Sequence, residues 1–153
     1  MNREQLLKKI DKPWEALNEA YAGLNEAQLT QPGVTGDWSV IDILAHVSAW
    51  ENEALTHLPH ILEGRRPPKY ADLYGGIDAF NALKAQESRA RPMAEVLARV
   101  EETHRQLIAY LHTAPEEQLA TETRFRRRIR LDTYSHYPIH TQAIREWRAK
   151  SGI

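Results

Sequence analysis

Two histidines, His136 and His140, stand four residues apart near the C-terminal end of the 153-residue chain. Four residues make about one helical turn, so a helix stacks both imidazoles on one face. Asp132 precedes them by the same step, and Ile144 and Trp147 continue the face beyond them. Isoleucine and tryptophan belong in a core, so this face and its histidines turn inward. Two imidazoles at i, i+4 can hold one divalent ion, as in helical zinc motifs. His46 offers a third nitrogen: it lies between Ile43 and Trp50 at the edge of an earlier apolar stripe, and bundles build metal sites from facing helices. Three neutral imidazoles leave such an ion an open position, where it lowers the pKa of bound water toward ~7 or polarises a substrate atom. The same spacing also suits three interior histidines, each with its own hydrogen bond.

Other groups near this constellation are ambiguous. Asp132 reads as a helix N-cap, with a carboxylate orienting His136 as the alternative. Glu53, two turns beyond His46, is placed to act as a general base, but Glu51 and Glu53 both read as a solvated helix face. Tyr134 and Tyr137 suit a pocket wall or aromatic packing equally. His57, His60, His104 and His112 lie near polar residues or helix ends and read as surface histidines. No catalytic residue can be assigned. Arg124, Arg126, Arg127, Arg128 and Arg130 read as a soluble, self-repelling loop, with attraction of a carboxylate-bearing cosubstrate as the alternative.

The elements that must position these residues are helical. Leu6, Leu7, Ile10, Trp14, Leu17, Tyr21 and Leu24 form one stripe, interrupted by Pro13, where a kink or a fresh start capped by Asp11 is expected. Asn25-Glu26-Ala27-Gln28 and Ser39-Val40-Ile41-Asp42 have the form of capping boxes, the second opening a long helix with Ile43, Val47, Trp50, Ala54, Leu55 and Leu58 inward. Gly64 stops that helix, a Pro-containing loop follows from Arg65 to Tyr74, and a third helical pattern starts after Gly75-Gly76. Pro92 suits the first turn of a further helix carrying Val96, Leu97, Val100, Leu107, Ile108 and Leu111. Pro115 to Leu119 makes a single turn, the arginine-rich stretch is loop or short extended chain, and a last helix is expected from about Asp132 to Lys150. No sustained period-two alternation occurs, which argues against a β-sheet core.

Bulk properties narrow the function classes. The length suits one domain over residues 1–153. Apolar residues make up 42% and charged residues 27%, with net charge −1 and no cysteine, which removes disulfides, thiol nucleophiles and cysteine–zinc sites. Near-neutral charge, with Glu122 and Asp132 flanking the arginines, points away from nucleic acid as a partner. No signal peptide or membrane-length apolar run is visible, so no membrane partner and a cytoplasmic location are expected.

Gly36-Asp37-Trp38-Ser39-Val40-Ile41-Asp42-Ile43-Leu44-Ala45-His46-Val47-Ser48-Ala49-Trp50-Glu51 resembles the second-helix signature of the DinB-like superfamily. Asp132-Thr133-Tyr134-Ser135-His136-Tyr137-Pro138-Ile139-His140, with Ile144-Arg145-Glu146-Trp147, is similar to the last-helix signature of its ClbS/DfsB branch, and Ile77-Asp78-Ala79-Phe80-Asn81 to that branch's third helix. The resemblance spans the chain in order. It implies an all-α four-helix bundle with up-down-down-up connectivity, short extra helical turns and a homodimer. It also implies a divalent metal, zinc or nickel, held by His46, His136 and His140. Relatives of this kind include thiol-dependent transferases and isomerases, and a hydrolase that opens an electrophilic cyclopropane in a genotoxin. The expected function is a small enzyme acting on an electrophilic small molecule by hydrolysis or thiol transfer. A metal-free hydrolase of the ClbS/DfsB kind, or a protein that binds and sequesters a small molecule without catalysis, are the alternatives. Pro138 falls between the two C-terminal histidines; in a helix starting at Asp132 it removes the bond to the Tyr134 carbonyl.

Overall fold

Stripes of apolar residues at three- and four-residue spacing drive every long segment of this chain into helices that bury one face. The computed structural model describes residues 1–153. Its elements are α1 (Arg3–Tyr21), α2 (Glu26–Leu29), α3 (Val40–Leu62), α4 (Tyr70–Leu73), α5 (Ile77–Arg89), α6 (Met93–Thr113), α7 (Glu116–Ala120), α8 (Arg124–Asp132) and α9 (Tyr137–Ser151). The fold is all-α; Thr35 and Trp38 form an isolated bridge and no strand. The long helices α1, α3, α6 and α9 form the bundle: α3 packs on α6, α1 on α9, and α1 also on α6. Leu6, Ile10 and Leu17 of α1, Ile43, Val47 and Leu58 of α3, Leu107 and Leu111 of α6, and Ile144 and Trp147 of α9 lie in one continuous core. The shorter α5 and α8 both lean on α3, which makes α3 the hub of the molecule.

The capping boxes at Asn25 and Ser39 form as read. In the second, the Ser39 hydroxyl accepts the Asp42 N–H at 3.2 Å and Asp42 Oδ2 accepts the Ser39 N–H at 3.0 Å. Arg89, ending α5, adds two bonds to the same carboxylate, each 3.2 Å. Asp42 therefore starts α3 and ties α5 to it. In Asp42→Ala, unfolding free energy measured by urea titration is expected to fall by about 1–2 kcal/mol, because a cap and a buried charge-assisted acceptor go together.

Three local expectations are overturned. Pro13 marks no fresh start capped by Asp11: it lies inside α1, because burial of Leu6 and Ile10 before it and Leu17 after it holds both halves to one core and outweighs the single lost hydrogen bond. The arginine-rich stretch is the helix α8, not a loop: Phe125 and Ile129 are fully buried four residues apart, and their burial organises the charges between them. The last helix does not begin at Asp132, which is the final residue of α8. At Thr133 the backbone leaves the helical region (φ −129, ψ −101), and α9 starts at Tyr137, with Pro138 in its first turn. A continuous helix would bury Pro138 in the interior, whereas a break at Thr133 puts it where its missing N–H costs nothing.

Candidate metal centre and its cleft

The break before α9 leaves the histidine geometry intact. His136 occupies the N-cap position with helical backbone angles (φ −97, ψ −50), so it still stands one turn below His140. His46 projects from α3 to meet them. Its Nε2 lies 3.0 Å from His136 Nε2, which lies 2.9 Å from His140 Nε2. The three side chains thus offer ligand atoms within 4.8 Å of one another. His140 is buried and the other two half-buried.

Hydrogen bonding among the three rings cannot account for this arrangement. The Nε2 of a neutral imidazole carries either one hydrogen or one lone pair. His136 Nε2 therefore satisfies one of its two neighbours and leaves the other facing it without a partner. The Nδ1 atoms of His136 and His140 are buried with no hydrogen-bond partner either. If the Nδ1 atoms of the three rings carry the hydrogens, the clustered Nε2 lone pairs are free to take an ion. Two nitrogens bound to one tetrahedral zinc at ~2.1 Å stand ~3.4 Å apart, so the observed 3.0 and 2.9 Å separations need to open by only about half an ångström to hold one. Burial, with repulsion from His136 and His140, pushes the His46 pKa down to about 3. Burial alone takes His140 down to about 4, and burial with repulsion from His140 takes His136 to about 4. All three are neutral at pH 7, the form that binds a metal. The donor set suits a divalent ion.

These depressed values set a pH dependence for the metal-free protein. Between about pH 4 and the ordinary histidine value of 6.5, the unfolded chain binds protons that the folded histidines refuse, so stability rises with pH and is complete above that window. Asp132 and Glu51 act in the opposite sense, because their raised folded values favour the proton-bound native state as pH falls. A difference measurement isolates the histidines. In His140→Asn, the loss of stability from pH 6.5 to 4, followed by urea midpoints with chelator present, is expected to shrink by on the order of 2 kcal/mol.

A cleft of about 460 Å³ opens beside His46 and His136. Trp50, Tyr70, Ile77 and Leu131 supply its carbon wall, and Asn81, Arg128 and Asp132 its polar groups. The Trp50 indole N–H donates to Asn81 Oδ1 at 2.9 Å. Arg128 organises the rest: its Nε donates to Asp132 Oδ2 at 2.6 Å and its Nη2 to the Tyr70 hydroxyl at 2.9 Å. The guanidinium also lies over the Trp50 and Tyr70 rings, 5.9 and 6.0 Å from their centroids. Tyr70 in turn donates to Glu53 Oε1 at 3.1 Å. Burial raises the Asp132 pKa to about 6 against the pull of Arg128.

The sequence readings fare unevenly here. The structure brings His46, His136 and His140 together. Asp132 is neither an N-cap nor a partner of His136, because Arg128 claims its carboxylate. Glu53 is not on a solvated face; Tyr70 covers it. The sequence points to no site role for Tyr70 or Asn81, and to Arg128 only as one of five clustered arginines. Arg128 had a signal, since it stands one turn before Asp132 in the sequence, whereas Tyr70 opens α4, a single turn inside the stretch expected as loop and too short for periodicity to show.

Glu51 and His104 also depart from expectation, since both are buried. Glu51 accepts from the Tyr137 hydroxyl at 3.2 Å and lies 3.1 Å from His104 Nδ1. Trp14 stacks on the His104 ring at 3.7 Å. Tyr137 is thus fixed inside the core, adjacent in sequence to His136, and is not part of the cleft wall. His57 is buried too, with Nε2 3.6 Å from Glu53 Oε1. The surface reading holds for His112, which is exposed, and not for half-buried His60.

With the site described, comparison with known proteins places the chain. The DinB superfamily model matches residues 9–142. The chain belongs to the DinB superfamily. No curated protein matches its sequence. Among solved structures, this DinB-superfamily chain is similar to one described as sibling lethal factor precursor, DfsB. The TM-score is 0.79 at 18% identity, covering 99% of this chain and 97% of that one. A protein from Streptococcus pneumoniae gives 0.80 at 18% identity, covering 97% and 91%. The colibactin self-resistance protein ClbS, in complex with double-stranded DNA, gives 0.76 at 18% identity, covering 95% and 94%. These likenesses show a shared helical fold of the ClbS/DfsB type.

The ClbS complex corrects one expectation. Nucleic acid was set aside as a partner because the net charge is near zero, yet a protein of this fold is seen bound to duplex DNA. Net charge averages over the whole surface, while phosphate contacts depend on where the cations stand. It therefore cannot exclude such a partner. As for membranes, no helix is long and apolar enough to cross one.

Proposed function

We propose that His46, His136 and His140 hold one divalent ion, zinc or nickel, and that the chain, as one domain, is an enzyme acting on an electrophilic small molecule by hydrolysis or thiol transfer. The observation that supports this reading is the clustering of three neutral Nε2 atoms, of which His136 Nε2 can satisfy only one of its two neighbours. When bound, such an ion acts as a Lewis acid on the substrate's polar atom. The remaining work falls to side chains of the cleft. Arg128 grips Asp132 Oδ2, and Asp132 Oδ1 takes no hydrogen bond from the protein. That oxygen is the natural acceptor for a proton leaving an attacking water or thiol, and with a pKa near 6 it is ionised at pH 7. Trp50 and Tyr70 shelter one side from solvent, which strengthens the charge interactions within.

Metal analysis of untagged protein tests the reading. One ion per chain is expected, and none in His140→Ala; absence of stoichiometric metal, with the substituted protein unchanged, sinks the metal part. One observation favours a second reading. Asp132, held by Arg128 and open to the cleft, could activate water without an ion, as in a metal-free hydrolase of the ClbS/DfsB kind. Self-resistance, the role given for ClbS, accords with either form. The second reading predicts hydrolysis that survives chelation.

A further inference from the structure

The cleft has two unlike ends. At its floor stand His46, His136 and Asp132; at its mouth stand Ile77 and Leu131, 54% and 49% exposed. Two large aliphatic side chains, one on α5 and one on α8, thus stand half out of water along the lining of one cleft. Neither is needed by the core, which closes beneath them through Phe80 and Ile129, both fully buried. The depression also continues outward. A second hollow of about 540 Å³ shares Tyr70 and Ile77 with the first and runs toward Gly75 and Gly76. Gly76, at φ 122, turns the chain into α5 where other residues are strained, and so sets Ile77 at the mouth. Arg128 is the one cation lining the cleft, and its Nε and Nη2 are already engaged; the second hollow adds Lys69 and Asp78 to its lining, so the apolar stretch is that between Leu131 and Ile77.

We infer that the substrate is amphiphilic, with a polar electrophilic head at the histidines and an extended apolar body lying across Ile77 and Leu131 toward the second hollow. The orientation rests on the reading above, in which the histidines are the reacting centre; the apolar body does not. Low-molecular-weight, fully polar molecules would leave both aliphatic side chains in water. An apolar chain laid over them removes that surface from solvent and gains about two- to fourfold in affinity per covered methylene.

Two titration series separate the parts. In the first, metal-free protein is titrated with primary alkanols from butanol to decanol, with the methyl NMR signals of Ile77 and Leu131 as reporters. Both signals are expected to shift, with Kd falling about two- to fourfold per methylene. Ile77→Ser and Leu131→Ser, exposed positions that leave the core untouched, should flatten that dependence. Affinity independent of chain length, or a dependence unchanged in both variants, overturns the apolar assignment. In the second, zinc- or nickel-loaded protein is titrated with alkyl hydroxamates of the same lengths. Acetohydroxamate should bind both variants as it binds wild type, and only the longer chains should lose affinity. Equal loss for all lengths overturns the head-to-tail orientation. A protein that retains no metal fails the proposed metal site in the second series, while the first still decides the apolar body.

Discussion

In His136→Ala, affinity for zinc or nickel is expected to fall by more than about 100-fold, with helicity and cooperative unfolding retained. Loss of groups that merely orient ligands costs 10–100-fold in metal affinity, and removing a ligand nitrogen goes further. His136 is the most informative of the three because its Nε2 is the common neighbour, 3.0 Å from His46 and 2.9 Å from His140. Without it, two nitrogens on different helices remain. Fold retention follows from position: His136 is half-buried at a helix N-cap with no side-chain cap bond, and its Nδ1 has no partner to orphan. The metal-free variant should therefore be no less stable than metal-free wild type, and it relieves one unsatisfied contact among the rings. Competition with a chromogenic chelator gives the affinity, and urea titration with excess chelator gives the stability. Unchanged metal affinity would mean that the ion, if any, sits elsewhere; a large loss of metal-free stability would mean that the three histidines are structural.

How much of this was legible beforehand depends on the kind of signal. The four-residue step from His136 to His140 and their continuation into Ile144 and Trp147 survive because a stripe fixes direction whatever the exact helix start. The start itself was misread, since Asp132 looks like a cap and nothing local advertises the break at Thr133; only the need to place Pro138 in a first turn hints at it. Glu51 and His104 carry a positional signal that their polar character masks. Glu51 falls in step with Val47, Ala54 and Leu58, and His104 with Val100, Leu107 and Leu111, so periodicity alone puts both inside. Tyr70 lies at the other limit. Its role depends on how the 63–76 connection folds back over Trp50, Glu53 and Arg128, and no pattern in the chain encodes that long-range contact.

The buried pair those stripes conceal should be the most sensitive stability determinant of the molecule. In Glu51→Ala, a loss on the order of 3–5 kcal/mol is expected, from a cavity in a packed core and from stranding the Tyr137 hydroxyl and His104 Nδ1 without their acceptor. Glu51→Gln should lose about 1–2 kcal/mol, since its amide fills the same space and its oxygen can still accept from Tyr137, 3.2 Å away in the wild type. Burial already holds the Glu51 pKa above the usual carboxylate range, so removing its charge costs less than removing its volume and hydrogen bonds. The effect should also travel. Glu51 anchors Tyr137 to α3, and Tyr137 is the first residue of α9, directly after His136. Loosening that anchor frees the turn that aims His136 at His46. Zinc affinity is therefore expected to fall about 10–100-fold in Glu51→Ala and to stay near wild type in Glu51→Gln, measured by chelator competition at a temperature where both variants are folded. Equal metal affinity in the two would separate core stability from ligand placement, leaving the break at Thr133 and the first turn around Pro138 to hold His136 unaided.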